Sequence, residues 1–138
     1  MNNTAVAPNS RPLVLLAGRI LIAAIFLNAG IRKLLGFAGT VGYFTKLGFP
    51  APEFFAVLAI VIEVGGSLLL IIGWKTRWVA WLLALFVLIA ALAAHRFWQV
   101  DAAQYANQMN HFMKNLAIIG GLLFVATFGP GSASVDKS

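Results

Sequence analysis

The 138-residue sequence contains no cysteine, and only 10% of its residues are charged. Without cysteine there can be no disulfide, thiolate nucleophile, Cys-ligated zinc or iron–sulfur cluster, so any redox chemistry must come from a bound cofactor or a partner. Acids are scarcest of all, four against ten Lys and Arg, for a formal charge of +6. No basic stripe interleaved with stacking aromatics accompanies that charge, which argues against nucleic acid as a partner. The cations instead fall at the ends of apolar runs, where short loops meet anionic headgroups. A soluble domain has roughly a quarter of its residues charged. Here 61% are hydrophobic and the mean hydropathy is +0.89, so the solvent covering most of the surface must be lipid.

Four apolar runs follow a polar tail at residues 1–12. The first, 13–31, is broken only by Arg19 and stopped by Arg32 and Lys33. At 1.5 Å per residue it covers about 28 Å, enough to cross the hydrocarbon core and too long for a cleaved leader. The second, 54–74, holds one charge, Glu63, and the third, 78–94, holds none. Only Lys75, Thr76 and Arg77 separate these two, which requires a tight antiparallel hairpin. The fourth, 111–128, is apolar from Leu116 onward and ends at Gly129-Pro130-Gly131, a helix stop followed by a tail at 130–138. The expected fold is all-α: a four-helix transmembrane bundle over residues 13–129, with helices at about 13–33, 53–74, 76–95 and 110–128. Two connecting segments have their own pattern. Val41, Phe44 and Leu47 recur at helical spacing around Tyr43 and Lys46, and Asp101 is an N-cap ahead of residues 102–110. Both follow odd-numbered spans, so both should lie at one membrane surface and lid the bundle. An even number of spans puts both termini in one compartment, for which we expect the cytoplasm, although Lys and Arg are shared too evenly between the two sides to orient the chain.

Chemistry should reside in ionisable groups that lipid would otherwise reject, because a charge at mid-bilayer costs about 3 kcal/mol and turns inward to find a partner. Glu63 is the leading candidate, about 13 Å into its run and near the midplane. Arg19 lies about 9 Å in from the opposite surface, leaving an axial gap of about 7 Å, so Arg19 is the expected partner, with Lys114 second. Two readings stay open for this acid. It either locks helices in register through an ion pair, or handles protons and orients a ligand, as quinone sites in membranes require. His95 ends the third run and His111 opens the fourth, on the side of Lys33, Lys114 and Asn115. Two histidines at matched depth suit a quinone carbonyl or, less well, axial ligation of haem, or simply cap helix ends. No metal-ligand cluster stands out, and the glycine pairs Gly65-Gly66 and Gly120-Gly121 read as packing positions.

The order of these features resembles the DoxX family. The residues that carry the resemblance are Gly18-Arg19, Asn28 through Leu34, Gly48-Phe49-Pro50, Glu63-Val64-Gly65-Gly66, Gly73 with Lys75 and Arg77, His95, Lys114-Asn115-Leu116, and the tail from Gly129 to Asp136. Each is short, and together they run from about Arg11 to Asp136. The resemblance implies a four-helix protein of the bacterial cytoplasmic membrane with redox associations. Some such proteins are subunits of thiosulfate:quinone or quinol oxidoreductases, others accompany superoxide dismutase and sulfurtransferase partners, and distant animal relatives assist receptor assembly. The leading expectation is therefore a quinone-linked redox accessory or small oxidoreductase subunit. Glu63 and Arg19 would be its reactive pair, and His95, Lys114, Asn115, Lys33 and His111 its cofactor-binding residues. A membrane or peripheral redox protein and a second copy of the chain are the expected protein partners. A non-catalytic assembly or scaffold subunit and a small-molecule carrier are the alternatives.

Overall fold

The computed structural model describes residues 10–136, so most of the expected N-terminal tail, and Lys137, lie outside the described residues. The described chain is helical throughout: α1 (Arg11–Leu35), α2 (Phe37–Lys46), α3 (Pro52–Ile72), α4 (Thr76–Ala94), a 3₁₀ turn (Phe97–Gln99) and α5 (Ala102–Phe128). Four helices are long and apolar enough to cross a membrane: α1, α3, α4 together with its 3₁₀ turn, and α5. The expected four-helix bundle with short amphipathic connections is the fold observed.

Helix ends follow local chemistry. Pro12 and Pro52 sit in the first turns of α1 and α3, where a missing N–H costs nothing. Arg32 and Lys33 occupy the last turn of α1, opposite in sign to the negative end of the helix dipole. Gly73 ends α3 in the left-handed conformation at φ 72°, and the N–H groups of Gly73 and Trp74 both return to the Leu69 carbonyl. Asp101 caps α5 by accepting from the Gln104 N–H at 3.0 Å, so this helix runs unbroken from Ala102 through the polar connection and across the bundle. α4 has no cap of its own sequence. Its first N–H groups bond instead to Asp136, 60 residues downstream.

Within the bundle α1 packs along α3, α4 along α5, and the α3–α4 hairpin and an α1–α5 contact close the ring. Small residues set the distances, as helices associating in lipid require. Ala23, Ala80, Ala84 and Ala126 join Phe26, Leu70, Leu83 and Leu122 in the buried core. A Cβ at Gly30 would come within 2.7 Å of Val64 Cγ2 and 3.0 Å of Glu63 Cβ, and one at Gly66 within 2.9 Å of Leu83 Cδ2. The Gly30 approach fixes the register of α1 against α3, and the site depends on it.

α2 and the 3₁₀ turn lie at the same end of the bundle, the end where α1 and α4 finish and α3 and α5 begin. Aromatic chains cover them: Phe44, Phe49 and Phe55 meet edge to face at 5.1 Å, and Phe97 meets Phe112 at 5.2 Å and Tyr105 at 5.8 Å.

Candidate ligand cavity

Because Gly30 lets α1 touch α3 at Glu63, the residue one turn further along α1 faces the Glu63 side chain. That residue is Lys33, and it makes the only ion pair among the described residues. Its Nζ lies 2.9 Å from Oε1 and 2.8 Å from Oε2 of Glu63, whose side chain is only 5% exposed. The Oε1 contact has hydrogen-bond geometry. Both carboxylate oxygens thus lie within reach of the one ammonium, and no second hydrogen-bond donor approaches either of them.

The pair lines a cavity of about 390 Å³. Its walls are apolar and aromatic, with Phe26 from α1, Phe44 from α2, Phe55 from α3 and Phe86 from α4 among them. The polar exceptions converge from all five helices: Lys33 of α1, Tyr43 of α2, Glu63 of α3, His95 at the end of α4, and Lys114 with Asn115 of α5. Asn115 is buried on α5. Burial raises the Tyr43 phenol above its ordinary range, so it stands at the wall as a neutral O–H. His95 Nδ1 is 3.0 Å from Gln108 Oε1, and its ring stacks on His111 at 4.9 Å between centroids and 17° between planes. Lys114 Nζ lies 3.4 Å from His111 Nδ1.

Five of the seven candidate residues therefore gather at one cavity: Glu63, Lys33, His95, Lys114 and Asn115. His111 stands behind His95 rather than on the wall. The stacked rings turn their faces toward each other, and axial ligation of one iron needs two nitrogen edges in opposition, so this pair does not suit haem.

Arg19 is not at this site, and its expected pairing with Glu63 is overturned. From Gly30, level with Glu63, back to Arg19 is eleven residues, about 16 Å along the helix. Depths counted from the edges of apolar runs missed this offset, because α1 begins before its run and helix register follows the Gly30 contact. The Arg19 guanidinium is buried at the opposite end, where Nη1 donates to the carbonyls of Leu70 at 3.1 Å and Ile71 at 3.2 Å, and Nη2 to that of Ala133. Lys114 likewise turns to His111 rather than pairing with Glu63.

The tail beyond α5 completes that opposite end. Val135 and Asp136 donate their N–H groups to the carbonyls of Ile72 and Gly73. The Asp136 carboxylate accepts from the N–H groups of Lys75 at 2.8 Å and Thr76 at 2.7 Å. The Thr76 N–H foremost, with help from Lys75 and the charge of Arg19, holds the Asp136 carboxyl below the usual aspartate range. Arg77 ties in α5 through the carbonyls of Ala126 at 3.2 Å and Thr127 at 2.6 Å. Sequence reasoning missed this clasp, although Lys75, Arg77 and Asp136 all lay within the quoted motifs.

The DoxX family profile matches residues 14–96, which carry α1 to α4 and hence the Lys33–Glu63 pair. The chain belongs to the DoxX family. It is 38% identical over 128 residues to the inner membrane protein YphA of Escherichia coli, covering 93% of this chain and 91% of that one. It is 39% identical over 122 residues to the inner membrane protein YqjF of the same organism, covering 88% of each. A Surfeit locus protein 4 homolog of Schizosaccharomyces pombe is 28% identical over 131 residues, which span 94% of this chain and 38% of that protein. No solved structure matches. This DoxX protein is thus an integral, multi-pass protein of the inner membrane, with a partly polar cavity at one end of its bundle.

Proposed function

We propose that this DoxX protein binds a quinone-class lipid in the cavity and serves as a quinone-linked redox accessory or small oxidoreductase subunit. The observation that carries the reading is the buried Glu63–Lys33 pair, set among aromatic and apolar walls with no donor other than Lys33 at the carboxylate. About 390 Å³ suits a single ring with the start of its tail, since small-molecule sites span roughly 300–1,000 Å³. Aromatic walls receive a flat ring. Lys33, Asn115 and Lys114 offer donors to ring carbonyls, and Glu63 Oε2 accepts the hydroxyl of a reduced ring. A bound quinone supplies two-electron chemistry coupled to protons. The chain's own part is to orient the ring, exclude water from it and hold or release a proton at Glu63. Electrons come from a partner protein, since the chain has no cysteine and no group of three or more potential metal ligands among its described residues.

The test is extraction of the protein purified in mild detergent, followed by chromatography of the bound lipids. The reading expects quinone in near-stoichiometric amount, lost in Glu63→Gln and in Lys33→Met. Failure of the wild-type protein to retain or rebind quinone would overturn it, and a stoichiometric protein partner in that preparation would favour the scaffold role. Both termini in the cytoplasm belong to the same proposal. Reporters fused to residues 1 and 138 should both report that compartment; opposite signals would contradict the even span count.

A further inference from the structure

We propose that the polar pocket at the rim of the bundle is a binding site for the headgroup of an acidic phospholipid, separate from whatever occupies the apolar cavity. This pocket, of about 260 Å³, is lined by Lys46 at the end of α2, Arg96 and Gln99 beyond α4, and Gln108 of α5. Its floor is Leu47, Ala93 and Ala94, which also wall the apolar cavity, so a polar chamber and an apolar one share a partition.

The polar lining is made almost wholly of donors. Lys46 makes no hydrogen bond or ion pair among the described residues. Arg96 engages only its Nε, on the Leu92 carbonyl at 3.1 Å, leaving the two terminal nitrogens of the guanidinium free. The Gln108 carbonyl oxygen faces His95, which leaves its amide N–H groups for the pocket. No acid lines the pocket: Glu63 is paired with Lys33, and Asp101 caps α5. Two uncompensated cations with two amides call for an oxyanion that brings acceptors and at least one negative charge.

Depth identifies the class of anion. Tyr43, Trp98 and Tyr105 stand half-exposed at the same end of the bundle, the position such rings take at headgroup level. A phosphodiester anion is held at that depth by its own acyl chains, and the unpaired cations between these helix ends offer its oxygens charge-assisted hydrogen bonds. An acidic headgroup is favoured over a zwitterionic one, because the ammonium of the latter would face Lys46 and Arg96 with no acid in the pocket lining to offset them.

Native mass spectrometry of delipidated protein in detergent tests this with phosphatidylglycerol and phosphatidylethanolamine of matched chains. Phosphatidylglycerol should bind about tenfold or more tightly than phosphatidylethanolamine, and Lys46→Gln combined with Arg96→Gln should abolish the difference. Both side chains are exposed, so the fold should survive, which circular dichroism would verify. Arg32→Gln removes a cation at the same end but outside the pocket and should leave the preference intact. Equal binding of the two lipids, or an equal loss in Arg32→Gln, would overturn the site. Displacement of phosphatidylglycerol by excess inorganic phosphate would overturn the lipid assignment and give the pocket to a soluble anion. Quinone content of the same variants, read before delipidation, separates failure here from failure of the cavity reading.

Discussion

The two ends of the bundle both hold charges that lipid would reject, and they hold them differently. At the clasp end, Arg19, Arg77 and Asp136 spend their hydrogen bonds on main-chain groups: carbonyls at the ends of α3 and α5, the tail, and the N–H groups opening α4. At the cavity end, Lys33 and Glu63 bond to one another beside an aromatic-walled space, and no second donor reaches the carboxylate. Charges bonded to backbone fasten helix ends, even though Arg19 Nε and the Thr76 hydroxyl stay buried there without a partner. Charges bonded to each other beside a cavity keep capacity for one. On the proposed reading, one end holds the structure together and the other binds.

Arg19→Ala should be the most damaging single change. It strands three carbonyls that now accept from one buried guanidinium, a loss of about 3–4 kcal/mol at roughly 1–3 kcal/mol for each unmatched buried group, with partial relaxation. Thermal unfolding in detergent should show a large fall, while the fraction that remains folded keeps its bound ligand. Unchanged stability with lost ligand would reverse the roles of the two ends.

Gly73→Ala comes next. Its φ of 72° disfavours any side chain, and a Cβ there would run into the Arg19 guanidinium and Ser134. A loss of about 2–3 kcal/mol is expected, again in stability rather than in binding.

Asp136→Asn should be milder, about 1 kcal/mol, because the amide keeps one acceptor for the N–H groups of Lys75 and Thr76 and loses the other along with the charge. Its sharper signature is pH dependence. The folded carboxyl titrates below its ordinary value, so its contribution is complete above about pH 4 and fades as pH falls through the lowered value. The wild-type protein should lose stability over that acid range more steeply than Asp136→Asn; parallel curves would remove Asp136 from the clasp.

How much of this was visible in the sequence differs by residue. The four spans were legible because about 20 apolar residues in lipid have few structures open to them. Glu63 and Arg19 were legible as buried charges for the same reason, and His95 and His111 as neighbours by matched depth. The partner of Glu63 was not, because hydropathy locates a residue only relative to the edges of its own run. Register between α1 and α3 comes from a close approach at Gly30, and that contact brings up Lys33, a residue that composition places at a helix end as a dipole partner. The Asp136 cap was hidden by distance in the chain: α4 lacks a local cap, and only the folded tail supplies one.

The most direct test of the division between the two ends is the double variant Lys33→Met with Glu63→Gln, assayed for thermal stability and for bound quinone. Removing both charges leaves no unmatched ion in the core, so the protein should fold with near wild-type stability, and the cavity, stripped of its donor and its acceptor, should retain no quinone. Normal stability together with a full complement of quinone would contradict the account, since the pair would then do nothing except join α1 to α3.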